Sequence, residues 1–172
     1  MSRQPSALSA MSVATLLVFA TAAQADLRVN FYEGAPKDRI QILNTDACAI
    51  SGSSVSIDLS QSQGGLIFDV TASGQGVEVY QPFEIVQGEN ALAQIPIILD
   101  GQKQVELEIE ILAPNEAIVF TIDVDDTIGQ REITVTGSEF VGATAAYTSG
   151  DTPVLATFLS GPEVIIPVQS CS

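Results

Sequence analysis

Val105-Glu106-Leu107-Glu108-Ile109-Glu110-Ile111 alternates apolar and acidic side chains without a break. A strand turns successive side chains to opposite faces, whereas a helix would scatter the three glutamates around its axis. This segment is therefore a strand half in water, with Glu106, Glu108 and Glu110 outward and guarding an edge. The same period of two runs through Leu27, Val29 and Phe31, through Ile40 and Ile42, and through Val55, Ile57 and Leu59. Further strands are expected at residues 66–71, 76–80, 83–86, 95–99, 117–124, 131–136, 140–147, 154–159 and 164–168. Between them lie Glu33-Gly34-Ala35-Pro36, Ser51-Gly52-Ser53, Gln63-Gly64-Gly65, Ala113-Pro114-Asn115 and Ser149-Gly150-Asp151, all turn chemistry. Asp100-Gly101 predicts a hairpin between residues 95–99 and 105–111. Helical spacing is confined to one possible turn in residues 89–94. The pattern predicts an all-β chain: a single antiparallel β-sandwich of about ten short strands with almost no helix.

The first 25 residues follow another logic. Arg3 precedes an apolar run over residues 12–23, too short to span a bilayer, and Ala23-Gln24-Ala25 is an A-x-A cleavage signature before Asp26. Residues 1–25 read as a secretory signal peptide cleaved after Ala25, and residues 26–172 as the mature single domain, secreted or periplasmic. An uncleaved anchor is the alternative, for which the run is short. No later stretch is apolar enough for a transmembrane segment.

The mature segment keeps five basic against 21 acidic residues, a net charge of −16. That potential repels nucleic-acid phosphates and favours cations and cationic partners. With 46% hydrophobic residues the chain still has the apolar content to fold. It has no His, hence no imidazole base, proton shuttle or metal ligand, and no Trp to stack on sugars. No G-x-S-x-G occurs, and a glycosidase would need two carboxylates flanking a cleft with a better aromatic platform than Tyr32, Tyr80 and Tyr147. A non-enzymatic role is expected.

Cations direct attention to Phe120-Thr121-Ile122-Asp123-Val124-Asp125-Asp126-Thr127-Ile128-Gly129. On a strand Thr121, Asp123 and Asp125 share a face while Ile122 and Val124 point to the core, and Asp126 begins the turn. Asp123, Asp125 and Asp126 are the candidate calcium ligands, since hard cations take six to eight oxygens. Asp46, Asp58, Asp69 or Asp100 is available to complete the shell. A solvated acidic turn needs no ion and fits the same residues. The spacing is not that of an EF-hand.

Several segments together carry a resemblance. Asp26-Leu27-Arg28-Val29, the stretch Glu33-Gly34-Ala35-Pro36-Lys37-Asp38-Arg39, Asn44-Thr45-Asp46-Ala47-Cys48, Gly65-Leu66-Ile67-Phe68-Asp69-Val70, Val77-Glu78-Val79-Tyr80-Gln81-Pro82-Phe83-Glu84 and residues 120–129 resemble the small secreted bacterial proteins labelled "aggregation factor core". Ile122-Asp123-Val124-Asp125-Asp126 is also similar to the acidic strand ends of Calx-beta domains, so the sandwich is expected to be immunoglobulin-like or Calx-beta-like. The resemblance implies an adhesion, aggregation or matrix-type protein, calcium-assisted, with a protein or cell-surface partner or self-association. The alternative is a periplasmic binding or envelope-assembly module without metal.

Cys48 and Cys171 are the two cysteines, and in an oxidising compartment they are expected to pair. Such a long closed loop contributes about 5 kcal/mol in the chain-entropy model, less any strain. Thiol titration of the denatured, non-reduced protein should find no free thiol, and Cys48→Ser with Cys171→Ser should lower the melting temperature. Two free thiols would refute the bridge.

Overall fold

A computed structural model describes residues 25–74, 76, 80–128 and 134–168; residues 1–24 of the expected signal peptide 1–25, and Cys171, lie outside them. Among the described residues ten strands form: β1 Ala25–Tyr32, β2 Asp38–Asn44, β3 Ile50–Asp58, β4 Ile67–Asp69, β5 Glu84–Gln87, β6 Gln104–Leu112, β7 Ala117–Asp125, β8 Thr144–Thr148, β9 Pro153–Thr157 and β10 Glu163–Val168. Among the described residues the helical content is one 3₁₀ turn, Glu89–Ala91. All pairings are antiparallel, in two sheets. One runs β10-β1-β2-β7-β4 with β5 also on β7; the other runs β6-β3-β8-β9. The chain is an all-β sandwich, as its alternation requires.

The core lies between the sheets and is built from the apolar halves of those alternations. Leu27, Val29, Phe31, Ile40, Ile42, Ile118, Phe120 and Ile122 from one sheet meet Val55, Ile57, Val105, Leu107, Ile109 and Ala145 from the other, all buried. Glu106, Glu108 and Glu110 face solvent on β6, an edge of the four-stranded sheet.

Two predicted strands depart from the expectation for identifiable reasons. Residues 95–99 alternate like a strand but pair with nothing among the described residues; the Asp100-Gly101 turn forms, with Gln102 N–H donating to Leu99 O at 3.1 Å and Gly101 at φ 72°, yet joins no paired hairpin. Residues 140–143 form turns, with Gly142 at φ 95°, so only Thr144–Thr148 of the expected 140–147 strand pairs. Residues 134–136 are not strand, and the predicted 76–80 and 131–136 strands otherwise fall largely outside the described residues.

Phe140 compensates by packing. Its ring stacks on Phe31 at 4.2 Å and meets Phe158 edge-on at 5.4 Å, closing the core beyond the start of β8. Phe140→Ala should cost about 3–5 kcal/mol in urea unfolding, the usual range for an emptied aromatic site. A loss no larger than that of an exposed substitution would contradict this packing role.

Candidate functional site

Strand β7 pairs with β2 along one edge and with two short strands in succession along the other. Ile67, Phe68 and Asp69 of β4 face Asp125, Val124 and Asp123, and then Glu84 and Ile85 of β5 face Thr121 and Phe120. Strands β4 and β5 are thus two halves of one edge, interrupted by residues 70–83. The interruption falls beside Asp123, directly opposite Asp69. Like charges placed directly across a ladder are destabilising, so this arrangement calls for an explanation.

The strand period puts Asp123 and Asp125 on the outer face of β7, as predicted. Asp69 joins them from β4, and one carboxylate oxygen of each lies within 4.8 Å of the others. Asp69 is only 1% exposed and Asp125 is buried, because the chain crosses back over this face. A Cβ at Gly76 would collide with Oδ2 of both Asp69 and Asp125, and one at Gly74 with Oδ2 of Asp100, so the crossing requires glycine at both positions. Neither oxygen of Asp69 has a hydrogen-bond partner among the described residues. A buried polar group normally has one.

Asp126 corrects the predicted triad. It is 4% exposed but does not belong to the cluster, since the alternation that aligns Asp123 with Asp125 leaves the next residue off their face. Of the four supplementary aspartates, Asp69 is in the cluster and Asp100 adjoins it. Oδ1 of Asp100 accepts the Val70 and Thr71 N–H groups at 3.1 and 3.3 Å, which fixes the 99–102 turn against the start of the interruption. Asp46 and Asp58 are elsewhere, each accepting a local backbone N–H in a turn: Ala47 at 2.5 Å and Ser60 at 2.8 Å.

Asp38 was not singled out by sequence. The β2–β7 ladder ends at the Asp38–Ile122 pair, and the next inward-pointing amide, Val124 N–H, donates to Asp38 Oδ2 at 3.1 Å. Gly34 N–H donates to the other oxygen at 3.1 Å. The carboxylate replaces a strand that stops short. Its signal was an acid in register with Ile40 and Ile42 on the core-facing parity. Asp69 had a comparable one, a lone charge inside the apolar run from Leu66 to Val70.

Electrostatics follow from this crowding. Burial pushes Asp38 up to about 7, against the lowering effect of its two amide donors. Burial, with the Asp125 charge, raises Asp123 to about 6. Asp69 is also raised, by burial first and then by Asp100 and Asp125. Asp100 moves the other way, held low by its contact with Asp69 and by the Val70 amide.

Cys48 lies between β2 and β3, and no free cysteine occurs among the described residues. The Asn44 side-chain amide donates to Cys48 O at 2.8 Å. Tyr32 carries Arg39 over its ring at 4.7 Å. No helix among the described residues is long and apolar enough to cross a membrane. Searches with protein-family models, curated proteins and solved structures find no match to the chain.

The raised carboxylates set a pH dependence. A folded-state pKa above the unfolded one means the native protein holds protons more tightly, so this contribution is full at acid pH and is lost as pH rises through about 6 to 7. In chelator, the melting temperature should fall by several degrees between pH 5 and pH 8, and Asp69→Asn should flatten the fall. A melting temperature that rises over this interval would contradict the assignment.

Proposed function

We propose that the protein is a non-enzymatic adhesion or matrix-type component, secreted or periplasmic, that makes contact through an exposed apolar strand edge and is assisted by calcium. The observation that carries this reading is the stretch 95–99. Residues 95–98 make no backbone hydrogen bond among the described residues, and Ile95, Ile97 and Leu99 are 52%, 87% and 67% exposed. Proteins ordinarily cover or charge such edges, because unpaired N–H and C=O groups template strand addition by another chain. Here the neighbouring β6 edge is guarded by glutamates and this stretch carries three large aliphatic side chains.

Charge and edge act together. At −16 two copies, or a copy and an acidic cell surface, repel one another, and a divalent ion reduces that barrier. The resemblance to aggregation factor core proteins points the same way. Beads coated with the protein should clump in millimolar calcium and disperse in chelator. Ile97→Lys, a surface change expected to leave stability within about 0.5 kcal/mol, should reduce clumping roughly tenfold, equivalent to about 1.4 kcal/mol of contact. Undiminished clumping by Ile97→Lys, or none by the parent protein, would overturn the reading and favour a binding module that acts without this edge.

A further inference from the structure

We propose that Asp69, Asp123 and Asp125 form a calcium site that clips the interrupted β4–β5 edge onto β7, with Asp100 holding the adjoining turn in place. The proposal rests on the calcium-assisted part of the adhesion reading and gives that ion a location. Two observations carry it independently. The three carboxylate oxygens converge within 4.8 Å from two different strands. Asp69 is almost fully buried, neither of its oxygens has a hydrogen-bond partner among the described residues, and one of them lies at the convergence.

The donor set selects the ion. It is entirely carboxylate, and the chain contains no His, so hard cations are favoured over zinc or copper. Calcium binds oxygen at about 2.3–2.6 Å, so opposite ligands on it lie about 5 Å apart, wide enough for oxygens within 4.8 Å of one another. Magnesium needs a tighter, regular octahedron and gives up its water reluctantly. Three negative charges against two positive leave one excess charge, so a weak extracellular affinity is expected, with Kd about 10⁻⁴–10⁻³ M. Water and backbone carbonyls supply the rest of a calcium shell.

The clip acts where the fold is discontinuous. Asp69 is the last residue of β4, and Asp123 and Asp125 close β7. Asp100 belongs to the turn that leads from the exposed 95–99 stretch into β6. One ion therefore joins β4 to β7, beside the turn at the base of the adhesive stretch that Asp100 holds through the Val70 and Thr71 amides.

Isothermal titration of the whole secreted chain with calcium alone, at neutral pH and matched ionic strength, reads the site without reference to adhesion. One ion per chain is expected, with magnesium at least roughly tenfold weaker. Asp69→Asn should weaken calcium binding more than roughly tenfold, while Asp126→Asn, buried but off the cluster, should leave it unchanged. If Asp69→Asn does not fold, Asp123→Asn, which is half-buried, provides the same test. No calcium binding by the parent, or equal binding by the Asp69 and Asp123 variants, would overturn the site. Calcium binding with no bead clumping would uphold the site and reject the adhesion reading.

Discussion

One strand edge shared between two short partners determines the rest of this structure. Along its other side β7 has a continuous ladder to β2, but toward β4 and β5 the ladder breaks after Asp69 and resumes at Glu84. A break in a central strand's edge leaves backbone groups without ladder partners, and these must be satisfied locally. The residues of the interruption do so partly through Asp100, whose carboxylate accepts two of their amides. The consequence is a concentration of acids: Asp69, Asp100, Asp123 and Asp125 gather at the break, and Asp38 caps the opposite side of β7.

Gathering acids in a buried place has a cost that hydrogen bonds cover unevenly. Asp38 has two amide donors; Asp69 has none among the described residues. Protonation is one way to relieve Asp69, and a bound cation is another, and the two compete for the same oxygens. At neutral pH the proposed calcium ion would also neutralise its neighbours, which a single proton does not. That difference is why the cluster suits a metal better than a shared proton. It would also link the proposed ion to the fold, because the groups it would neutralise sit where the sheet is discontinuous.

Much of the fold was legible because alternation survives in strands with one wet face. The run from Val105 to Ile111 needs no tertiary information to be assigned, and the burial of Val105, Leu107 and Ile109 follows from it. The 95–99 stretch shows the limit: the same alternation arises in a segment that finds no strand partner among the described residues, since pairing depends on where other strands go. Phe140 shows another, as its burial comes from the Phe31 and Phe158 rings rather than from a ladder. At the site, parity placed Asp123 and Asp125 correctly and should have excluded Asp126. Asp69 could be nominated but not selected, because its position opposite Asp123 is a long-range register.

The proposed adhesion through residues 95–99 and the proposed metal site at the break are separable, but they meet at Asp100. A rigid turn there would keep the Ile95, Ile97 and Leu99 row presented in one register, which favours specific strand addition over diffuse sticking. The central claim is that the buried Asp69 carboxylate is a cation ligand. The most direct measurement is a ¹³C NMR pH titration of the Asp69 side-chain carboxyl, in chelator and in calcium. It should titrate well above the ordinary aspartate range in chelator and remain ionised to much lower pH in calcium. An Asp69 that titrates as an ordinary aspartate, unmoved by calcium, would contradict the claim.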